Sequence, residues 1–228
     1  MGPKTRILDA TMLVFRRHGF RRSSIEQVAE AAGLTRQALY HHFESKETLF
    51  RAVIERVHES AIAAEDTAIA EAEAAGSDLG DILATGMTAR MSTMIGSLDG
   101  SPHLEELYSE HLVHARDLFQ TYAARYAERM VTTVARVVRK QQLALPQDLT
   151  PAEFARLVEM SIHAAKSQYP AMQPAEAFLK DMAIIVRTLC AGAKPKFKSK
   201  SLPKPQKPYV KRAAIPKRPT RRTTGGHP

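Results

Sequence analysis

An all-α fold is predicted, with a three-helix head at the N-terminus, a helical bundle behind it and a basic tail that has no core of its own. Three observations carry this. Apolar residues before Ala193 recur at three- and four-residue intervals, the period of one helix face. The period-2 alternation of a half-buried strand is absent. From Ala193 onward the composition changes in kind: twelve Lys and Arg, no Asp or Glu, and seven of the thirteen prolines.

In the first helix, Ile7, Leu8, Thr11, Val14 and Phe15 form the apolar stripe, and Gly19 is expected to stop it. Ile25, Val28, Ala29 and Ala32 mark the second. Ser23, with Glu26 three places on, has the capping-box arrangement, in which each side chain satisfies an orphan backbone donor. Gly33 ends that helix. Thr35 caps a short third one over Arg36 to His42, and Ser45 caps a long one reaching about Ala74. Further helices are expected over 79–97, 102–115, 117–143, 150–168 and 174–191, with breaks at Gly100–Pro102, Pro146 and Pro170–Pro174. The expected domains are 1–50, 51–192 and 193–228. In the tail, proline removes backbone donors and lysines repel one another, so an extended, disordered arm is expected.

The net charge of +9 is divided unevenly: +4 over residues 1–52, −7 over 53–192 and +12 in the tail. Basic ends on an acidic body point to polyanion contact at the ends. No apolar run is long enough to cross a bilayer, and the N-terminus has no apolar signal segment, so no membrane partner is expected. One cysteine, Cys190, excludes an intrachain disulfide framework. It reads as a small buried hydrophobe and fits a reducing cytoplasm. A Gly-rich phosphate loop, a nucleophile elbow and a metalloprotease motif are all missing from the sequence, and neither an enzyme nor a cofactor is expected.

The head core is expected from Ile7, Phe15, Ile25, Val28, Leu34, Leu39 and Phe43, with Ala29 allowing two helices to cross closely. Leu39 and Phe43, four apart, face inward. The outward face of the short third helix is then Arg36, Gln37, Tyr40 and His41. Arginine reads guanine bidentately and glutamine reads adenine; tyrosine bonds a phosphate or touches a thymine methyl. The Thr35 hydroxyl and the first amides of that helix point where a phosphate would sit. Lys46 opens the next helix, where a cation opposes the helix dipole, and so suggests a nearby anion such as backbone phosphate. Lys4, Arg6, Arg21 and Arg22 would add phosphate contacts.

These residues carry a resemblance. Gly19-Phe20, Ser23 to Ala29, Ala32 to Phe43, Ser45-Lys46-Glu47 and Leu49-Phe50 resemble the DNA-binding head of the TetR family of transcriptional regulators, over about residues 5–51. The resemblance implies a homodimer that places one head in each of two major grooves of a palindromic operator. It implies backbone contacts from Ser23, Thr35, Tyr40, His41 and Lys46, with Arg36, Gln37 and Tyr40 nearest the bases. Ser23 stands where threonine is commoner, and Gln37-Ala38 where the family often has Gly or Pro followed by Thr; the second departure bears on operator sequence.

For the body, the resemblance implies a helical bundle with an apolar pocket for a small-molecule effector, and a dimer face made by the last two helices. Pocket candidates are Met87, Met91, Met94, Tyr108, His111, Leu112, Phe119, Tyr122 and Tyr126, since methionine suits an adaptable apolar site. Candidates for the twofold face are Phe154, Leu157, Val158, Ser161 and Ala165, then Phe178, Met182, Ile185 and Leu189. His111 and His114, with Glu110 and Glu106, fall short of a metal ligand set, and no metal is expected. The function so read is a sequence-specific, ligand-responsive repressor. The alternative is a less specific chromosome-binding protein dominated by its tail.

Overall fold

The computed structural model describes residues 2–195, with the side chain of Leu112 outside that description. The rest of the basic tail, with the disorder expected of it, lies outside the described residues. The order is α1 (Pro3–Arg22), α2 (Ile25–Ala31), α3 (Arg36–Tyr40), α4 (Lys46–Ala74), α5 (Leu79–Leu98), α6 (Leu104–His114), α7 (Arg116–Lys140), α8 (Pro151–Gln168) and α9 (Ala175–Cys190). The expected all-α class holds, with one small addition. Leu143–Ala144 pairs antiparallel with Lys194–Pro195, so Ala193 to Pro195 close onto the body instead of opening the tail.

Two local expectations change. Gly19 does not stop α1: it kinks the helix at φ +77°, and the chain resumes to Arg22. That conformation suits glycine. A Cβ there would also meet the Glu106 carboxylate, 2.5 Å from one oxygen. The cap of α2 is Ser24, not Ser23. Ser24 Oγ accepts from Gln27 N, and Gln27 Oε1 accepts from Ser24 N at 2.8 Å. The Ser23 hydroxyl turns inward and donates to the Gly19 carbonyl.

Ile7, Val14, Ile25, Val28, Leu39, Phe43 and Leu49 pack the head, and Leu34 is half-buried against them. Phe15 does not join that core as expected. It sits with Phe20, Phe50 and Leu107 in a separate cluster where head meets body, and its ring meets Phe20 and Phe50 edge-on at 5.6 and 5.7 Å. The body has one large core built from α5, α7, α8 and α9, with Leu83, Met87, Val134, Val158, Phe178 and Met182 at its centre. α4 runs from the head into the body and crosses α5 closely at Gly86, where a Cβ would stand 2.6 Å from Ile69 Cγ1.

Candidate nucleic-acid interface and body cavities

The α2–α3 unit is set by local bonds. Gly33 at φ +66° makes the turn, and Leu34 N donates to Ala29 O at 2.9 Å. Thr35 Oγ1 accepts from Ala38 N at 3.1 Å and so opens α3. Five residues make a marginal helix alone. This one is held by Leu39, fully buried, and by Phe43 just beyond its end. With those two turned in, Arg36, Gln37, Tyr40 and His41 are all exposed. The Arg36 guanidinium lies 5.4 Å from the Tyr40 ring centroid and 2.5 Å from Glu26 Oε1. An exposed pair of this kind contributes little and yields readily to a competing anion.

Several of the other basic residues of the head are already engaged. Lys46 Nζ donates to Phe20 O at 2.9 Å and Ser23 O at 3.1 Å, and lies 4.5 Å from the Phe20 ring centroid. It thus caps the C-terminal end of α1, where a cation complements the dipole. This corrects the reading of Lys46 as an uncompensated cation at the start of α4. Arg21 Nε donates to Glu110 at 2.6 Å and Arg21 N to Glu106 at 2.8 Å, while Arg22 reaches His103 at 3.2 Å. These two arginines face α6. Lys4 and Arg6 remain exposed. Glu110 also meets His114 Nε2 at 3.0 Å, so the Glu110–His114 pair forms part of an ion-pair cluster with Arg21.

Two neighbouring cavities share His58 and Met94. The first lies between α1, α4, α5 and α6 and is walled by Met12, Phe15, Phe50, Val53, Ile54, Leu98 and Leu107, with Tyr108 and His111 as polar groups. The second, about 250 Å³, lies between α4, α5, α7 and α8 and is lined by Arg90, Met91, Phe119, Tyr126, Glu159, Ile162 and Lys166 among others. Of the expected pocket residues, Met91, Met94, Tyr108, His111, Phe119 and Tyr126 line one or the other. Met87 is buried in the body core instead. Tyr122 stacks on His58, centroids 4.3 Å apart, and donates to Glu59 at 2.7 Å. Leu112 has no described side chain.

The polar groups around these cavities are shaped by burial. Desolvation, then His111, pushes the His58 imidazole down to about 4, and its Nδ1 lies 3.0 Å from the Tyr126 hydroxyl. His111 is lowered by desolvation and then by Lys166, and its Nε2 is buried without a partner. Tyr108 is raised to about 12 by desolvation. Arg90, which no sequence pattern singled out, is fully buried; it donates to both oxygens of Glu159 at 3.0–3.1 Å and lies 3.4 Å from Glu65. Desolvation raises Glu65 to about 7 against the pull of Arg90.

The structure places most of the residues expected on the twofold face in the chain's own core. Phe154, Val158, Ser161, Ala165, Phe178 and Met182 are buried within the chain's own body, and Leu157, Ile185 and Leu189 are half-buried. The outward faces of α8 and α9 carry Met160 and Ile184 instead, 50% and 49% exposed.

Comparison with known proteins agrees with this geometry. Residues 7–53 match the family model described as bacterial regulatory proteins, tetR family. An uncharacterized HTH-type transcriptional regulator of Bacillus subtilis, YfiR, is 29% identical over 174 residues, covering 76% of this chain and 71% of that protein. The crystal structure of the TetR-family regulator PfmR from Thermus thermophilus superposes with a TM-score of 0.55 at 21% identity, over 82% of this chain and 98% of that one. That of FadR from Bacillus subtilis, solved with stearoyl-CoA, gives 0.61 at 16% identity, over 83% and 98%. Residues 7–53 thus match the head of the tetR family of bacterial regulatory proteins, and the chain behind them shares the fold of solved TetR-family regulators.

Proposed function

We propose that the protein is a ligand-responsive repressor that binds a palindromic operator as a homodimer, in the cytoplasm and on the nucleoid. The observation that carries this is the exposed quartet Arg36, Gln37, Tyr40 and His41 on a helix whose other side is locked by Leu39 and Phe43. In this reading Arg36, Gln37 and Tyr40 reach base edges, while Thr35 and His41 meet the phosphate backbone. Ser23 and Lys46 act behind them, as supports of the α1–α2 corner. Residues 1–50 read DNA, and residues 51–192 bind the effector and dimerise through the outward faces of α8 and α9 around Met160 and Ile184. The effector enters the paired cavities and favours the arrangement of heads that does not fit the operator. FadR, a protein of the same fold solved with stearoyl-CoA, supports a body that takes an apolar ligand.

The test is binding to DNA from the region upstream of the protein's own gene. Tyr40→Ala and Arg36→Ala are each expected to weaken specific binding by roughly ten- to hundredfold, the worth of a base contact of about 1–3 kcal/mol. Removing residues 197–228 is expected to weaken binding to all DNA alike and to flatten its salt dependence. If that truncation abolishes all binding while Tyr40→Ala changes nothing, the chromosome-binding alternative is correct.

A further inference from the structure

We infer that the cavity between α4, α5, α7 and α8 recognises an apolar organic acid, with its anionic end at Lys166 and its hydrocarbon body directed past Met94 toward His58. The inference rests on the ligand-responsive reading above and names the class of effector. The walls set the body of the ligand. Met91, Met94, Phe119, Ala123, Ala127 and Ile162 are apolar, and His58, where the second cavity joins, is kept neutral by burial. Beyond it the first cavity carries no charged side chain at all. A ligand body with a charge would be stranded there.

The charges cluster at the other end, and they do not cancel. Arg90 and Glu159 form a closed pair: both carboxylate oxygens are bound by the guanidinium, and Glu65 approaches from behind. Lys166 has no carboxylate within 4 Å among the described residues. It stands at the rim near Arg90, and desolvation followed by that neighbouring cation disfavours its charged form. A carboxylate at this point relieves both effects. The second sign is His111, whose buried Nε2 has no partner among the described residues in a wall that is mostly apolar. Buried polar atoms are ordinarily satisfied, and a polar group carried by the ligand would satisfy this one.

The experiment is calorimetric titration of the full chain, without DNA, with decanoate, decan-1-ol and decylamine, each below the concentration at which it aggregates. Decanoate is expected to bind about tenfold tighter than decan-1-ol, the worth of one hydrogen bond to a charged group, and decylamine more weakly than either. Lys166→Gln is expected to bring decanoate down to the level of decan-1-ol and leave decan-1-ol unchanged. Ala123→Phe, which fills the cavity, is expected to weaken decanoate and decan-1-ol together. Decanoate failing to bind, a neutral or cationic chain binding as tightly, or a Lys166→Gln protein that keeps its preference for the acid overturns the inference. Failure of the broader reading looks different: decanoate then binds with these preferences but does not release the protein from its upstream DNA.

Discussion

Replacing Lys46 by methionine separates two roles that the position suggests. Methionine keeps most of the stem over Phe20 and removes only the ammonium. Three bonds are lost, to Phe20 O at 2.9 Å, Ser23 O at 3.1 Å and, longer, Arg21 O at 3.4 Å. A hydrogen bond from a charged donor contributes about 1.5–3 kcal/mol, and the cation at the end of α1 about 0.3–1 kcal/mol more. Water replaces part of this, because the ammonium is only half-buried. A net loss of about 2 kcal/mol is expected, or a fall of roughly 4–8 °C in Tm for a chain of this size. The assays are thermal and urea unfolding of the free protein, alongside operator binding as a function of salt. DNA affinity should fall only as far as the α1–α2 corner loosens, with the salt slope unchanged. A Lys46→Met protein of wild-type stability, with a slope of log affinity on log salt reduced by about one, would refute the capping role and make Lys46 a phosphate contact.

Two further perturbations test the body. Gly86→Ala places a methyl 2.6 Å from Ile69 Cγ1 at the α4–α5 crossing; overpacking costs about 1–3 kcal/mol against a helix-propensity gain of about 1 kcal/mol. Net destabilisation of about 1 kcal/mol by urea unfolding is expected, with recovery in the Gly86→Ala/Ile69→Val double variant. Glu65, raised to about 7 in the folded chain, binds more protons folded than unfolded between its ordinary value and about 7. Its contribution to stability is therefore present at low pH and lost as pH rises through that window, with a slope of up to about 1.4 kcal/mol per pH unit. Glu65→Gln removes that dependence, so the variant should gain stability on the wild type from pH 5 to pH 8. A parallel pair of pH profiles would mean that Glu65 is not protonated in the fold.

The head was largely legible in the sequence because its determinants are local. A stripe, a glycine and a capping hydroxyl act within a few residues, and α2, α3 and the start of α4 follow from them. Where local rules tied, the sequence offered no decision. Ser23 and Ser24 each have a capping partner three places on, and only the kink at Gly19 sends the Ser23 hydroxyl to a carbonyl. Phe15 lies on the right stripe of α1, but that stripe serves two cores at once. The residues expected on the twofold face show a related competition. The most regular apolar sides of α8 and α9 are wanted by the chain's own core, so the outward side is the mixed one that holds Met160 and Ile184. Arg90 and Glu65 carry no pattern at all, since their burial depends on partners 69 and 25 residues away.

The unequal charge of head and body acquires a physical meaning at α6. Arg21 is bound by Glu106 and Glu110, and Arg51 by Asp117 at 2.6 Å, so the rear of the head is neutralised by acidic residues of the body. Arg36 on α3, Lys4 and Arg6 are among the basic residues of the head left exposed. The bonds at Arg21 fall between the kink at Gly19 and the Ser23–Ser24 corner that leads into α2. Phe15 and Met12, one and two turns before Gly19 on α1, line the same cavity as Leu107, Tyr108 and His111 on α6. A ligand that wedges these two helices apart must strain the Arg21–Glu110 pair or carry α1 with it. Since Lys46 ties the carbonyls of that corner to α4, the displacement cannot be absorbed at the end of α1 alone. It reaches α2, and through Leu34 N and Ala29 O it reaches α3, so cavity and reading face are joined by bonds whose removal, one at a time, should uncouple ligand binding from DNA release.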